Sequence, residues 1–342
     1  MLGLFWRGIA SWDSYPYMAN SARLCHFWRA TMYDLIIIGG GPAGLTATVY
    51  AIHKRLETLL ITEDLGGKAN YRMHIRGLES YETINGEELV RKFQSQVEQL
   101  DFARLMDRAL AVEALQTNDG REIFWVTTES GTSFMARSLL VATGSRPRML
   151  DVPGERRLLG LGVSYSAISH APLFWGKDTA VVGSDVLAFR SVAELAMLAN
   201  RVYLVASDPL PHQSPWLEKL RSFDNVTILE GYTIRSVGGS PYLESMTVAA
   251  PDGQQQEIPI RGLFVELGVT PEAELVRSLV DLDAMGRIKV NSRGETSRPG
   301  VYAAGDVTNS YAEQVLIAIG DGAKAVLSAY EYLLRGSRRS NT

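Results

Sequence analysis

The 342-residue chain has a single cysteine, Cys25. One thiol excludes an intramolecular disulfide framework and an internal dithiol redox centre. A lone cysteine in an aromatic segment is more often a small buried hydrophobe than an active thiol. Long apolar runs are also missing: the most apolar stretch, Leu35 to Val49, is broken by glycines. No membrane span is therefore expected, and a soluble, cytoplasmic protein is. Lys and Arg total 34 against 38 Asp and Glu, a formal net charge of -4, and they gather into no basic stripe. Without that electrostatic footprint, nucleic acid is not an expected partner. The histidines are His26, His53, His74, His170 and His212. None has ligand-like spacing with cysteine or carboxylates, so no metal site is expected, zinc included.

What is present suits one or two sizeable cores, with 46% hydrophobic and 21% charged residues. Residues 1–31 read as an N-terminal extension in which Phe5, Trp6, Tyr15, Tyr17, Phe27 and Trp28 stand among polar residues. A basic start, a clean apolar stretch and a small-residue cleavage site are not found there, so it does not read as a signal peptide. Two readings stay open: an over-long translation start ahead of Met32, or a segment packed on the body through its aromatics.

Leu35 to Ile38 is an apolar run of the kind a buried parallel strand needs. It breaks at Gly39-Gly40-Gly41-Pro42-Ala43-Gly44; Leu45 to Lys54 then suits a helix, and Leu59 to Thr62 a second strand. The pattern recurs at Thr179 to Gly183, Ala188 to Leu198 and Arg201 to Ala206. Leu139 to Gly144, Gly262 to Gly268 and Val301 to Asp306 are further apolar strands ending in glycine turns, and Gln314 to Glu331 has the period of a closing helix. The expected fold is α/β, with two Rossmann-like, three-layer nucleotide-binding domains, the second inserted into the first. The expected domains are 32–151 with 262–334, and 152–261 inserted between them, with a tail at 335–342.

Gly39, Gly41 and Gly44 form G-x-G-x-x-G between strand and helix, and Glu63 stands nineteen residues past Gly44. Gly39 allows the tight turn, Gly41 lets a pyrophosphate reach the backbone, and Gly44 lets helix and strand pack closely. The helix N-terminus supplies amides and positive potential, while Glu63 can accept hydrogen bonds from a ribose. Gly305-Asp306 ends another strand, where the carboxylate either faces a flavin's ribityl chain or caps a turn.

The segments Ile38 to Gly44, Gly66-Gly67, Ala142 to Pro147, Val152 to Glu155, Gly162 to Tyr165 and Pro299 to Val307 together resemble bacterial-type thioredoxin reductases and their flavoprotein relatives, in consistent order over residues 32–334. The resemblance implies FAD, a homodimer, and cofactor contacts by Gly39, Gly41, Pro42, Ala43, Gly44, Glu63, Gly67, Thr143, Gly144, Gly305, Asp306, Gln314 and Val315. It also implies that 32–151 with 262–334 is the FAD-binding domain and that 152–261, degenerate in this chain, is like the NAD(P)-binding domain that carries NADPH in the family.

Two departures matter. Where those reductases have a Cys-Ala-x-Cys pair and then an acid, this chain has Ser166-Ala167-Ile168-Ser169 and then His170. Ser166 and Ser169 mark the missing cysteines, and a hydroxyl neither attacks nor resolves a disulfide. His170 either relays a proton near a reduced flavin or serves as a hydrogen-bonded linker residue. In the second glycine turn, Gly183 and Ala188 keep the end positions, but Asp185 stands where pyrophosphate approaches the backbone. A carboxylate there repels phosphate, yet makes a good N-cap when nothing binds. Ala206-Ser207-Asp208 offers no cation to a 2'-phosphate, and Arg190 and Arg221 read as solvent-facing helix residues.

The leading expectation is an FAD-dependent oxidoreductase without a dithiol, drawing electrons from a donor other than NADPH, such as ferredoxin or another protein carrier. Alternatives are an NAD(P)H-dependent flavin or ferredoxin reductase, a non-catalytic flavin-binding regulatory protein, and a second FAD or other nucleotide in the inserted domain.

Overall fold

The computed structural model describes residues 32–70, 73–74, 86–100 and 102–336. The reading of residues 1–31, with Cys25 and His26, lies outside the described residues, as does the chain from 337 onward. Contacts divide the described residues into two units, one of residues 32–69, 86–100, 102–144 and 271–336 and one of residues 70, 73–74 and 145–270.

The first unit is built on a five-stranded parallel sheet in the order Val301–Ala303, Leu139–Val141, Leu35–Ile38, Thr58–Thr62, Ala103–Met106. All four side chains of the central Leu35–Ile38 strand are buried, as its unbroken apolar sequence requires of a strand covered on both faces. Each such aliphatic side chain stabilises the fold by roughly 1.5–3 kcal/mol. Leu35 and Ile37 pack against Leu45 and Val49 of the Pro42–His53 helix and against Ala325 and Ala329 of the Val315–Gly336 helix. Ile36 and Ile38 face the other way, onto Phe124 and Val126 of a four-stranded sheet. Helices, parallel sheet and second sheet make the three layers.

The second unit repeats the plan. Its parallel sheet runs Val163–Ser164, Gly262–Val265, Asp178–Val182, Arg201–Ala206, Val226–Glu230. The Val186–Ala196 and Pro215–Arg221 helices cover one face through Phe189, Val192, Leu217 and Leu220. An antiparallel meander of Thr233–Gly238, Ser245–Ala249 and Gln255–Pro259 covers the other through Val237, Met246 and Val248. Both units are therefore Rossmann-like.

Several expected boundaries move. The Gly262–Val265 strand was expected in the first domain, but it pairs with Thr179 to Val182, so the chain returns to the first unit at Pro271. Apolar strands look alike in sequence; hydrogen-bond partners decide which sheet takes them. The first helix begins at Pro42, not Leu45, because Gly41 is its N-cap and proline's fixed φ suits the first turn. In the second unit the helix begins at Val186, not Ala188, because Asp185 caps it. The last helix runs through Arg335 to Gly336, beyond the expected start of the tail. Among the described residues, no helix is long and apolar enough to cross a membrane and no His, Cys, Asp and Glu cluster could hold a metal ion.

Candidate cofactor site

The central strand of the first unit runs into the Gly39–Gly44 turn. A Cβ on Gly44 would lie 1.8 Å from the Gly39 carbonyl oxygen, so helix and turn touch through backbone alone. Gly41 differs: a Cβ there meets nothing within 4 Å, and its backbone is extended, with φ -71 and ψ -175. It is the N-cap of the Pro42–His53 helix, and no side chain caps that helix. The helix start thus offers bare amides and a positive dipole end beside open space, the arrangement an anion binds.

Other segments close on this turn. Gly66 N donates to the Gly40 carbonyl at 2.8 Å, and a Cβ on Gly67 would lie 3.2 Å from Gly41 Cα. A Cβ on Gly305 would come within 3.1 Å of Ala43 Cβ, bringing Asp306 to the same end of the sheet. Thr143 Oγ1 donates to the Glu272 carbonyl at 2.6 Å, and Glu272 N donates to the Gly144 carbonyl at 3.0 Å, fixing the exit of the Leu139–Val141 strand. The Gln314 carbonyl accepts from Ala318 N at 2.9 Å and opens the helix that begins at Val315. Glu63 is exposed just past the Thr58–Thr62 strand, free of that apolar layer. These residues fit FAD: the uncapped helix start at Gly41 suits a diphosphate, and Glu63 and Asp306 follow parallel strands at the same end of the sheet.

Lys68 and Glu313 went unnoticed in the sequence. Lys68 Nζ lies 2.7 Å from Asp306 Oδ2 and 2.6 Å from Glu313 Oε2. Burial works against the Lys68 charge, but the two carboxylates outweigh it and hold its pKa above the ordinary value. Burial lifts Asp306 above the usual carboxylate range, with Lys68 pulling it back. The sequence signals were slight: Lys68 follows Gly67, and Glu313 precedes Gln314.

In the second unit, Gly183 sits at φ +152, where a Cβ would come within 2.5 Å of the Glu266 carbonyl oxygen and 2.8 Å of Ala188 Cβ. The strand, turn and helix contacts are therefore retained. The helix start is not bare, because Asp185 Oδ1 accepts from Leu187 N at 3.0 Å and Ala188 N at 3.2 Å. Ser166 Oγ donates to Ser169 Oγ at 3.0 Å, two hydroxyls where a dithiol would stand. His170 Nδ1 is 2.8 Å from Ser164 Oγ, and burial lowers its pKa despite a hydrogen bond that the ring donates to the Ser166 backbone. Buried Glu266, also missed, accepts from Ala167 N and Ser191 Oγ, each at 3.0 Å. It is the acid just past the Gly262–Val265 strand. Arg190 and Arg221 are exposed, and Arg221 reaches His212 Nδ1 at 3.2 Å.

A family model described as pyridine nucleotide-disulphide oxidoreductase matches residues 33–322. NADH dehydrogenase of Bacillus subtilis is 31% identical over 321 residues, which cover 93% of this chain and 62% of that protein. The F component of the alkyl hydroperoxide reductase of Pseudomonas aeruginosa is 34% identical over 308 residues, covering 89% of this chain and 59% of that protein. The chain thus spans about three fifths of the length of these two relatives. Among solved structures, thioredoxin reductase from Streptococcus pyogenes superposes with a TM-score of 0.81 at 30% identity, covering 90% of this chain and 100% of that one. Thioredoxin reductase from Giardia duodenalis gives 0.78 at 26% identity, covering 89% and 99%.

Proposed function

The chain belongs to the pyridine nucleotide-disulphide oxidoreductase family, as an FAD-binding oxidoreductase with a thioredoxin-reductase-like fold and no dithiol pair, and from that premise we propose that it oxidises NADH in preference to NADPH and passes the electrons to an acceptor outside its own chain. This reverses the order of the expectations, because relatives named as an NADH dehydrogenase and as a component of an alkyl hydroperoxide reductase support a nicotinamide donor over a protein carrier.

The observation that carries the preference for NADH is the acid after the second strand of the second unit. Asp208 stands twenty residues past Ala188, as Glu63 stands nineteen past Gly44, and it is exposed. A carboxylate at that place accepts hydrogen bonds from the ribose hydroxyls of NADH and repels a 2'-phosphate. Bound FAD supplies the two-electron acceptor that protein side chains lack. The chain's own contributions are the Gly39–Gly44 backbone and helix start, which hold a diphosphate, and Glu63 and Asp306, which accept hydrogen bonds from hydroxyls. His170 is proposed as a proton carrier in the second unit. With hydroxyls at Ser166 and Ser169, electrons leave to an external acceptor. A homodimer and a cytoplasmic location belong to the same proposal.

Anaerobic stopped-flow mixing tests it by following the loss of oxidised-flavin absorbance against NADH and NADPH concentration. Saturable reduction, faster with NADH, is expected. NADPH as the better donor would overturn the assignment of Asp208. The Asp185 cap favours a second reading, a protein donor such as ferredoxin, because its carboxylate occupies the amides that a dinucleotide would use. Slow, unsaturated reduction by both nucleotides would select that reading.

A further inference from the structure

We propose that Lys68 is a positioning residue for FAD, which it serves by favouring the ionised form of Asp306 and by clamping together the three segments that line the cofactor site. The inference rests on the FAD reading and adds to it a residue and a charge state. Lys68 directly follows Gly67, whose turn packs on Gly41. Asp306 directly follows Gly305, which packs on Ala43. Glu313 directly precedes Gln314 at the start of the last helix. One ammonium at 2.7 Å from Asp306 and 2.6 Å from Glu313 therefore joins parts of the chain about 240 residues apart.

The charges around Asp306 make this cation consequential. Its carboxylate is only 16% exposed and faces Lys68 from the turn after Gly67, Glu313 from the loop before the last helix, and Asp321 from that helix. Asp321 is engaged by Lys324 at 2.9 Å and by Ser310 Oγ at 2.9 Å. Lys68 in turn faces Asp306 and Glu313. With the ammonium removed, Asp306 would share a partly desolvated space with two other carboxylates, and repulsion with burial would favour its protonated form. An ionised carboxylate accepts hydrogen bonds on both oxygens, whereas a protonated one has lost part of that capacity. Removing Lys68 should therefore weaken FAD and make its binding worsen as pH falls.

The test uses the full chain, freed of flavin and titrated with FAD between pH 5.5 and 8, with binding read by flavin fluorescence. Wild type should bind with a shallower pH dependence than Lys68→Met. Lys68→Met should bind about tenfold more weakly or worse at neutral pH, with affinity falling further as the solution is acidified. Lys68→Arg should restore most of the affinity and the wild-type profile, and Asp306→Asn in the Lys68→Met background should remove the pH slope. If Lys68→Met does not fold, Lys68→Gln replaces it against the same Arg control. A Met or Gln variant with wild-type affinity and profile overturns the role of Lys68 and leaves the FAD reading intact. Failure of the wild type to bind FAD overturns both.

Discussion

Gly41 separates folding from cofactor binding. Its backbone is extended at φ -71, open to any residue, and a Cβ there meets no atom within 4 Å. Gly41→Glu should therefore fold, at a cost of a few tenths of a kcal/mol for changing the residue at a helix N-cap. The FAD diphosphate would feel it strongly. Two like unit charges about 4 Å apart repel by about 4 kcal/mol at an effective dielectric of 20, which weakens binding by roughly a thousandfold. Gly44 gives the contrast: a Cβ there would sit 1.8 Å from the Gly39 carbonyl oxygen, so Gly44→Ala should fail in folding. Backbone that cannot move aside makes such overpacking cost about 3 kcal/mol or more. The assay is FAD per chain after denaturing extraction, with the melting temperature of each flavin-free variant beside flavin-free wild type. The expected pattern is a flavin-poor Gly41→Glu with wild-type stability and a poorly soluble Gly44→Ala. A well-folded Gly41→Glu that retains one FAD per chain would refute the reasoning.

Asp185→Ala removes a cap that accepts from two amides, so it should lower stability by about 1 kcal/mol, read as a small drop in melting temperature, while tightening NADH in an equilibrium titration. Unchanged NADH affinity would show that the Asp185 carboxylate does not compete for the helix start. His170 has its pKa lowered from 6.5 by burial, so the unfolded chain takes up a proton at a higher pH than the native one. The linked stability is present above pH 6.5 and is lost as pH falls through 6.5 toward the native value. Melting temperature against pH should show that loss in wild type and lack it in His170→Asn; parallel profiles would refute a depressed histidine.

The nucleotide fold was legible wherever local chemistry demands it. A run such as Leu35 to Ile38 can satisfy itself only as a strand buried on both faces, and it is buried on both. Gly44 has no alternative beside the Gly39 carbonyl, and Asp185 before Val186 reads as an N-cap and is one. The serines at 166 and 169 excluded dithiol chemistry outright, because residue identity alone decides whether a thiolate exists. Tertiary structure decided what depends on partners distant in the chain. Gly262 to Val265 had the apolarity to enter either sheet, and only the hydrogen bonds to Thr179 to Val182 placed it in the second. Lys68 carries no signal of its own in the sequence; the fold brings Asp306 and Glu313 to it, the latter 245 residues away in sequence. Composition and spacing report what each residue can do locally; the charge that surrounds a carboxylate is set by which segments the sheet brings to one end, and only the folded chain contains that information.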